Sequence, residues 1–180
     1  MRLAILGNSG SGKSTLARWL SAYTRAATLD LDTVAWQSGQ IAVARDPDDA
    51  AADVGRFCSE NASWVVEGCY ANLICESLKY GPRLVFLHPG ELQCVEHCKS
   101  RPWEPHKYKS RQLQDSYLEA LLDWVRGYYS RDGQMSLLAH EECYKAYTGP
   151  KEMVTRELKF DPPGPQVLAW TVAVEGECRR

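Results

Sequence analysis

The stretch "LAILGNSGSGKSTLARWL", Leu3 to Leu20, decides how the rest of this chain is read. An apolar run leads into a loop with three glycines. Lys13, Ser14 and Thr15 follow, and a helix-like pattern comes next. Gly7, Gly12, Lys13 and Ser14 occupy the fixed positions of G-x-x-x-x-G-K-[ST]. Those four positions arise by accident in well under about 1% of chains of this size. A phosphate needs many donors at short range and little steric bulk. Main-chain N–H groups from Gly7, Asn8, Ser9, Gly10, Ser11, Gly12, Lys13, Ser14 and Thr15 can converge on such an anion, and the following helix adds its positive dipole end. Lys13 can reach between β- and γ-phosphates, and the Ser14 hydroxyl can sit on Mg²⁺. The segment is therefore expected to hold a nucleotide triphosphate, written here as ATP; no motif separates ATP from GTP.

The bulk properties agree with such a site in an ordinary globular chain. One domain is the simplest reading of 180 residues. Apolar content of 44% and charged content of 24% are usual for a soluble protein. A net charge of −2 gives no overall pull toward nucleic acid or anionic membrane. Seven cysteines without a C-x-x-C pair are read as small buried hydrophobes in a reducing cytosol; Cys94 and Cys98 share a helix face. No signal peptide or membrane span is expected, so the protein is taken as cytoplasmic, a monomer or homodimer.

Outward from the loop, strands and helices alternate. Strands are expected at 2–6, 26–32, 63–70, 83–89 and 152–158, and helices at 13–23, 45–61, 91–100, 112–130 and 134–147. This alternation argues for an α/β fold with a doubly wound, mostly parallel sheet. The "DPPGP" breaker at 161–165 divides a domain at 1–160 from a C-terminal tail at 161–180.

In such sheets ligands gather beyond the carboxyl ends of the strands. Strand 2 delivers Asp30 and Asp32 there, two residues apart and so on one side of the strand. Strand 3 delivers Glu67 and then Gly68, where a backbone can approach a substrate closely. These acids can bind Mg²⁺, accept a proton from an acceptor hydroxyl or hydrogen-bond a substrate; they can equally be solvated caps. Trp36 and Arg45 lie where a phosphoryl acceptor can bind. The basic stretch 99–111 carries Lys99, Arg101, Lys107, Lys109 and Arg111. It reads as a lid whose arginines neutralise a transferring phosphoryl group. The alternatives are a solvated basic surface, or a nucleic-acid patch with Trp103 and Tyr108 interleaved. Arg101 is the leading candidate, with Arg111 and Arg131 behind it. Tyr128 and Tyr129 are expected to be packing residues.

Together, "LAILGNSGSGKSTLA", "LDLD" followed by Trp36, "WVVEGCY" and "LLDWVRGYYSR" resemble the adenylate-kinase-like P-loop NTPases called topology-modulation proteins (the FlaR group). More loosely they resemble shikimate-kinase and nucleoside-monophosphate-kinase folds. The likeness spans about residues 1–158. It implies a three-layer P-loop kinase fold with a five-stranded parallel sheet of order 2-3-1-4-5 and helices on both faces. It also implies ATP with Mg²⁺ and a short arginine-bearing lid, although "RPWEPHKYKSR" within 99–111 is not that group's usual lid. Asp32 would be an acceptor or metal-site residue with Ser14, Arg101 a lid residue, and Glu67, Gly68 and Tyr70 acceptor-site residues. The chain departs from the group at "EGCY", where Asp-Gly-Asn-Tyr is usual, and at His88, where strand 4 often ends in an acid.

The expected activity is an ATP-dependent phosphotransferase, with Lys13, Asp32 and Arg101 as catalytic residues and an unknown small-molecule acceptor. The alternatives are a nucleotide-dependent regulatory ATPase acting on a DNA or protein partner, and a nucleotide binder without turnover.

Overall fold

The computed structural model describes residues 1–37, 43–104, 109–159, 163 and 166–171. Its elements in chain order are β1 (Arg2–Gly7), α1 (Lys13–Thr24), β2 (Ala27–Asp30), α2 (Asp32–Ala35), α3 (Pro47–Glu60), β3 (Trp64–Gly68), α4 (Ala71–Leu78), β4 (Arg83–Leu87), α5 (Glu91–Lys99), α6 (Arg111–Ser116), α7 (Leu118–Gly127), α8 (Leu137–Ala146) and β5 (Lys151–Val154). The strands form one sheet of order β2-β3-β1-β4-β5, and every pairing is parallel.

The period-two alternation of β1 explains the layers. Ala4 and Leu6 face one core, with Trp64, Val66, Leu84 and Phe86 from the neighbouring strands and Val54 and Ile74 from α3 and α4. Leu3 and Ile5 face the other, with Val65, Val85 and Leu87 and with Leu16 and Leu20 of α1. Both faces of the central strands are therefore buried, as a parallel sheet requires. Val167 and Trp170, from the helical residues 166–171 inside the expected tail, pack into this second core. The Trp170 indole N–H also donates to Glu152 Oε2 at 2.7 Å. A third cluster joins Cys94, Val95 and Cys98 of α5 to Leu122 and Val125 of α7.

Several boundaries differ from the sequence expectation, each for a local reason. β2 ends at Asp30 because the Asp30 carboxylate accepts the Asp32 N–H at 2.9 Å and starts a helical turn. The single helix expected over 112–130 is two helices meeting at Tyr117. There the backbone N–H turns back to Gln114 O at 3.1 Å, and α6 buries none of its residues, so its apolar stripe has no core to follow. β5 stops at Val154, which frees Glu157 and Leu158 from the sheet. α4 has no counterpart among the expected elements. Among the described residues, no helix is long and apolar enough to cross a membrane.

Candidate active site

A cleft of about 540 Å³ opens at the carboxyl ends of β1, β2 and β3. Its first wall is the glycine loop, residues 9–15. Gly10 and Gly12 have φ of +77° and +95°, a backbone region that side chains rarely tolerate. A Cβ on Gly10 would also collide with the Cys94 carbonyl oxygen of α5. Gly12 caps α1, and Lys13 opens it. The Lys13 side chain is buried, and its Nζ donates to Asn8 O at 2.9 Å, so the ammonium lies folded over the loop. The Ser11 hydroxyl is buried without a hydrogen-bond partner among the described residues. A loop with glycines at positive φ, a folded lysine and an orphaned buried hydroxyl suits an anion that would supply the missing acceptor.

The loop is tethered from behind. Asn8 Nδ2 donates to Val125 O of α7 at 3.0 Å, and Asn8 Oδ1 accepts the Ser9 N–H at 2.8 Å. The Asn8 side chain thus faces α7, which leaves only its main-chain N–H for the role expected of it in the loop. On the α5 side, His97 Nδ1 hydrogen-bonds Gly10 O at 2.7 Å, and His97 Nε2 lies 3.3 Å from Glu157 Oε1.

The second wall is acidic. Asp30, Asp32 and Glu67 all line the cleft. Parallel pairing of β2 with β3 sets Asp30 beside Glu67. Burial pushes the Glu67 carboxyl above its ordinary range, Lys13 draws it back, Asp30 adds to the rise, and a hydrogen bond from Ser14 opposes it. Asp32 stands in the first turn of α2, not on the strand as the two-residue spacing suggested; the helical turn still brings it to the cleft.

Trp36 and Tyr70 act on Asp32 from outside the cleft. The Trp36 indole N–H donates to Tyr70 Oη at 2.7 Å, and the Tyr70 hydroxyl donates to Asp32 Oδ1 at 2.7 Å. Burial, and next the Asp32 charge, hold the Tyr70 hydroxyl well above its usual range, so it stays a donor. Neither ring is part of the cleft lining. Both were expected at the acceptor site; in the structure they reach it through the Asp32 carboxylate. Arg45 is turned away as well. It donates to Val34 O at 3.2 Å and pairs with Asp53 of α3 at 2.8 Å. Gly68 lines the cleft, but the space its missing side chain leaves is filled by Leu31, whose Cβ would lie 2.7 Å from a Gly68 Cβ. The close approach there is between two segments of the chain.

Of the lid expected at about 99–111, residues 105–108 (with Lys107 and Tyr108) lie outside the described residues. Arg101 lines the cleft and pairs with Glu104 at 3.3 Å. Gln114 of α6 holds this segment twice, accepting the Glu104 N–H at 2.8 Å and donating to Pro102 O at 3.1 Å. Arg111 lies outside the cleft, exposed beside Asp115. Arg131 lies over the Trp124 ring, 3.6 Å from its centroid, and donates to Met135 O and Trp124 O. That is a packing role, as Tyr128 has. Tyr128 is buried and its hydroxyl is 2.7 Å from His140 Nδ1, while His140 Nε2 is 2.8 Å from Cys69 O.

Among the cleft residues that the sequence reading did not single out are Arg18, His97 and Glu157. Arg18 was findable, since it follows Ser14 by one helical turn and its Nε donates to Ser14 O at 3.3 Å. His97 and Glu157 meet the loop only through the fold, and no local pattern marks them.

Among the described residues, no group of three or more His, Cys, Asp or Glu side chains is arranged to hold a metal by itself. Mg²⁺ commonly takes one or two carboxylates and completes its shell with phosphate oxygens and water. Ser14 and Asp32, both lining the cleft, suit that partial set.

No family model matches the chain, and no curated protein sequence matches it significantly. Solved structures do. Shikimate kinase from Bacteroides thetaiotaomicron superposes with a TM-score of 0.54 at 14% identity, covering 100% of this chain and 99% of that one. Deoxyadenosine kinase from M. mycoides with bound dATP gives a TM-score of 0.53 at 14% identity over 98% and 100%. A gluconokinase from Sinorhizobium meliloti gives 0.51 at 18% identity over 96% and 92%. With its all-parallel sheet, strand order and helices on both faces, the chain has the α/β fold of the P-loop kinases.

Proposed function

We propose that the chain is an ATP-dependent phosphotransferase acting on a small acceptor that bears a hydroxyl or a phosphate. The observation that carries this reading is the pairing of opposite chemistries across one cleft: an anion-suited loop with Lys13 faces the carboxylates of Asp32 and Glu67.

Residues 9–15 would receive the triphosphate, and Lys13 would leave Asn8 O for phosphate oxygens. Ser14 and Asp32 would hold Mg²⁺, which when bound neutralises phosphate charge. Where Ser14, phosphate oxygens and water hold Mg²⁺ without it, Asp32, held by Tyr70, would instead orient the acceptor hydroxyl or take up its proton. Arg101 would exchange Glu104 for the transferring group as the segment 101–104 closes. Catalysis on this plan is positioning plus electrostatics. The test is ATP consumption by the full chain over a panel of nucleosides, nucleotides and sugar-like alcohols, with Lys13→Ala as control. Strong stimulation by one compound, lost in Lys13→Ala, is the expected result. Turnover unchanged by Lys13→Ala would overturn the assignment.

One observation favours a second reading, a nucleotide-dependent switch of the kind the topology-modulation resemblance implies. Phosphate competing for Arg101 would release Glu104, and Glu104 is tied through Gln114 to α6. Ligand binding could so reshape an exposed helix for a DNA or protein partner. Stimulation by DNA or a protein alone, with no small acceptor, would select it.

A further inference from the structure

Cys75 on α4 and Cys143 on α8 are far apart in sequence, yet their sulfurs stand 2.9 Å apart. Cys75 is exposed, whereas Cys143 is buried beneath it. We propose that Cys75 and Cys143 form a reversible dithiol–disulfide pair, oxidised by peroxide, that staples α4 to α8.

The chemistry needs an accessible thiolate with a second thiol against it, and the pair supplies both. The Cys75 thiol donates to Cys143 Sγ; once ionised, Cys75 accepts from the Cys143 thiol instead, which draws Cys75 below its ordinary range, while the same pairing and burial hold Cys143 protonated. Cys58, Cys69, Cys94 and Cys98 are all pushed the other way by burial, so they are poor competitors. In the first step the Cys75 thiolate attacks one peroxide oxygen. The O–O bond breaks, the hydroxide leaves and takes a proton to become water, and Cys75 becomes a sulfenic acid. In the second step the Cys143 sulfur attacks the Cys75 sulfur. The S–O bond breaks, and the hydroxyl departs with the Cys143 proton as water. Two thiols and one hydrogen peroxide thus give one disulfide and two waters; a dithiol reductant reverses the change.

The position gives the bridge a consequence for the acid wall. α4 starts directly after Tyr70, which holds Asp32. α8 carries His140, which holds the Cys69 carbonyl. Stapling the two helices ties together both supports of the turn from Glu67 to Tyr70. This inference stands on the thiol geometry and does not require the phosphotransferase reading.

The test exposes the reduced full chain to hydrogen peroxide, quenches with an alkylating reagent and maps the peptides by mass. Cys178, outside the described residues, is replaced by Ser in a parallel sample. The expected product is a Cys75–Cys143 peptide pair about 2 Da lighter than the two thiols, reversed by dithiothreitol. Cys143→Ser should stop at a Cys75 sulfenic acid that a 1,3-dicarbonyl reagent traps, and Cys75→Ser should give neither product. The wild-type map alone decides the matter if a variant fails to fold. The proposal is overturned if both cysteines stay alkylatable under peroxide, if Cys75 passes to sulfinic acid without bridging, or if another pair forms instead.

Discussion

The two walls of the cleft are built from different materials. The glycine-loop wall is mainly backbone: its shape comes from φ values at Gly10 and Gly12 and from Gly10 O held by His97. The acid wall is mainly side chain: Trp36, Tyr70 and Asp32 form a hydrogen-bonded chain across more than thirty residues of sequence. A backbone wall can grip any group of the right charge and size. A side-chain wall can select, because each atom in it is chosen by a residue type. The first wall is suited to the part that all nucleotides share, and the second to the part that distinguishes one acceptor from another.

That contrast can be broken by removing one charge from each wall. Lys13→Ala should cost the most, about 10²–10³-fold in acceptor-stimulated turnover, together with weaker nucleotide binding by calorimetry. Asp32→Asn should cost about 10²-fold in turnover while leaving nucleotide affinity within a few-fold of wild type. If Asp32→Asn instead abolished nucleotide binding and spared turnover at saturation, the division of labour between the walls would be wrong.

A smaller substitution sharpens the comparison. Tyr70→Phe deletes the hydroxyl that donates to Asp32 Oδ1 but keeps the ring. It should lower turnover by about 5- to 10-fold, in line with the net worth of one hydrogen bond. Because Tyr70 acts through Asp32, the loss should vanish when Asp32→Asn is already present. Additive losses in the double variant would place Tyr70 on the acceptor itself.

The same difference in material explains what could be read in advance. The loop from Gly7 to Thr15 was legible because its chemistry requires fixed local spacing. The sheet was legible because apolar runs such as "RLAIL" and "RLVFL" alternate with helical patterns. Asp32 reaches the cleft by a route other than the strand spacing suggests, since a capping bond to Asp30 turns the chain before the strand reaches it. Arg45 and Arg131 have the charge that a phosphate site needs, but ion pairing with Asp53 and stacking on Trp124 claim them first. Whether an arginine is free for ligand depends on neighbours distant in sequence. α4 went unseen because its eight residues, "ANLICESL", are too few to establish a helical period.

Glu67 belongs to the acid wall yet touches the loop, through Lys13 and Ser14, and so tests where one wall ends and the other begins. Its carboxyl sits above the ordinary range because burial outweighs those contacts. The folded chain therefore holds the Glu67 proton more tightly than the unfolded chain does. Between the unfolded value and the raised folded value, folding binds a proton. The Glu67 contribution to stability consequently falls as pH rises through that window and stays unfavourable above it. Glu67→Gln removes the penalty while preserving shape. In ligand-free protein above the window, its Tm should rise by roughly a few degrees, and the rise should disappear below the window. A Tm lowered at neutral pH would mean that Lys13 and Ser14 depend on the charge more than burial opposes it. Glu67 would then be part of the phosphate-facing wall, the lysine's counter-ion rather than a member of the acceptor's surroundings.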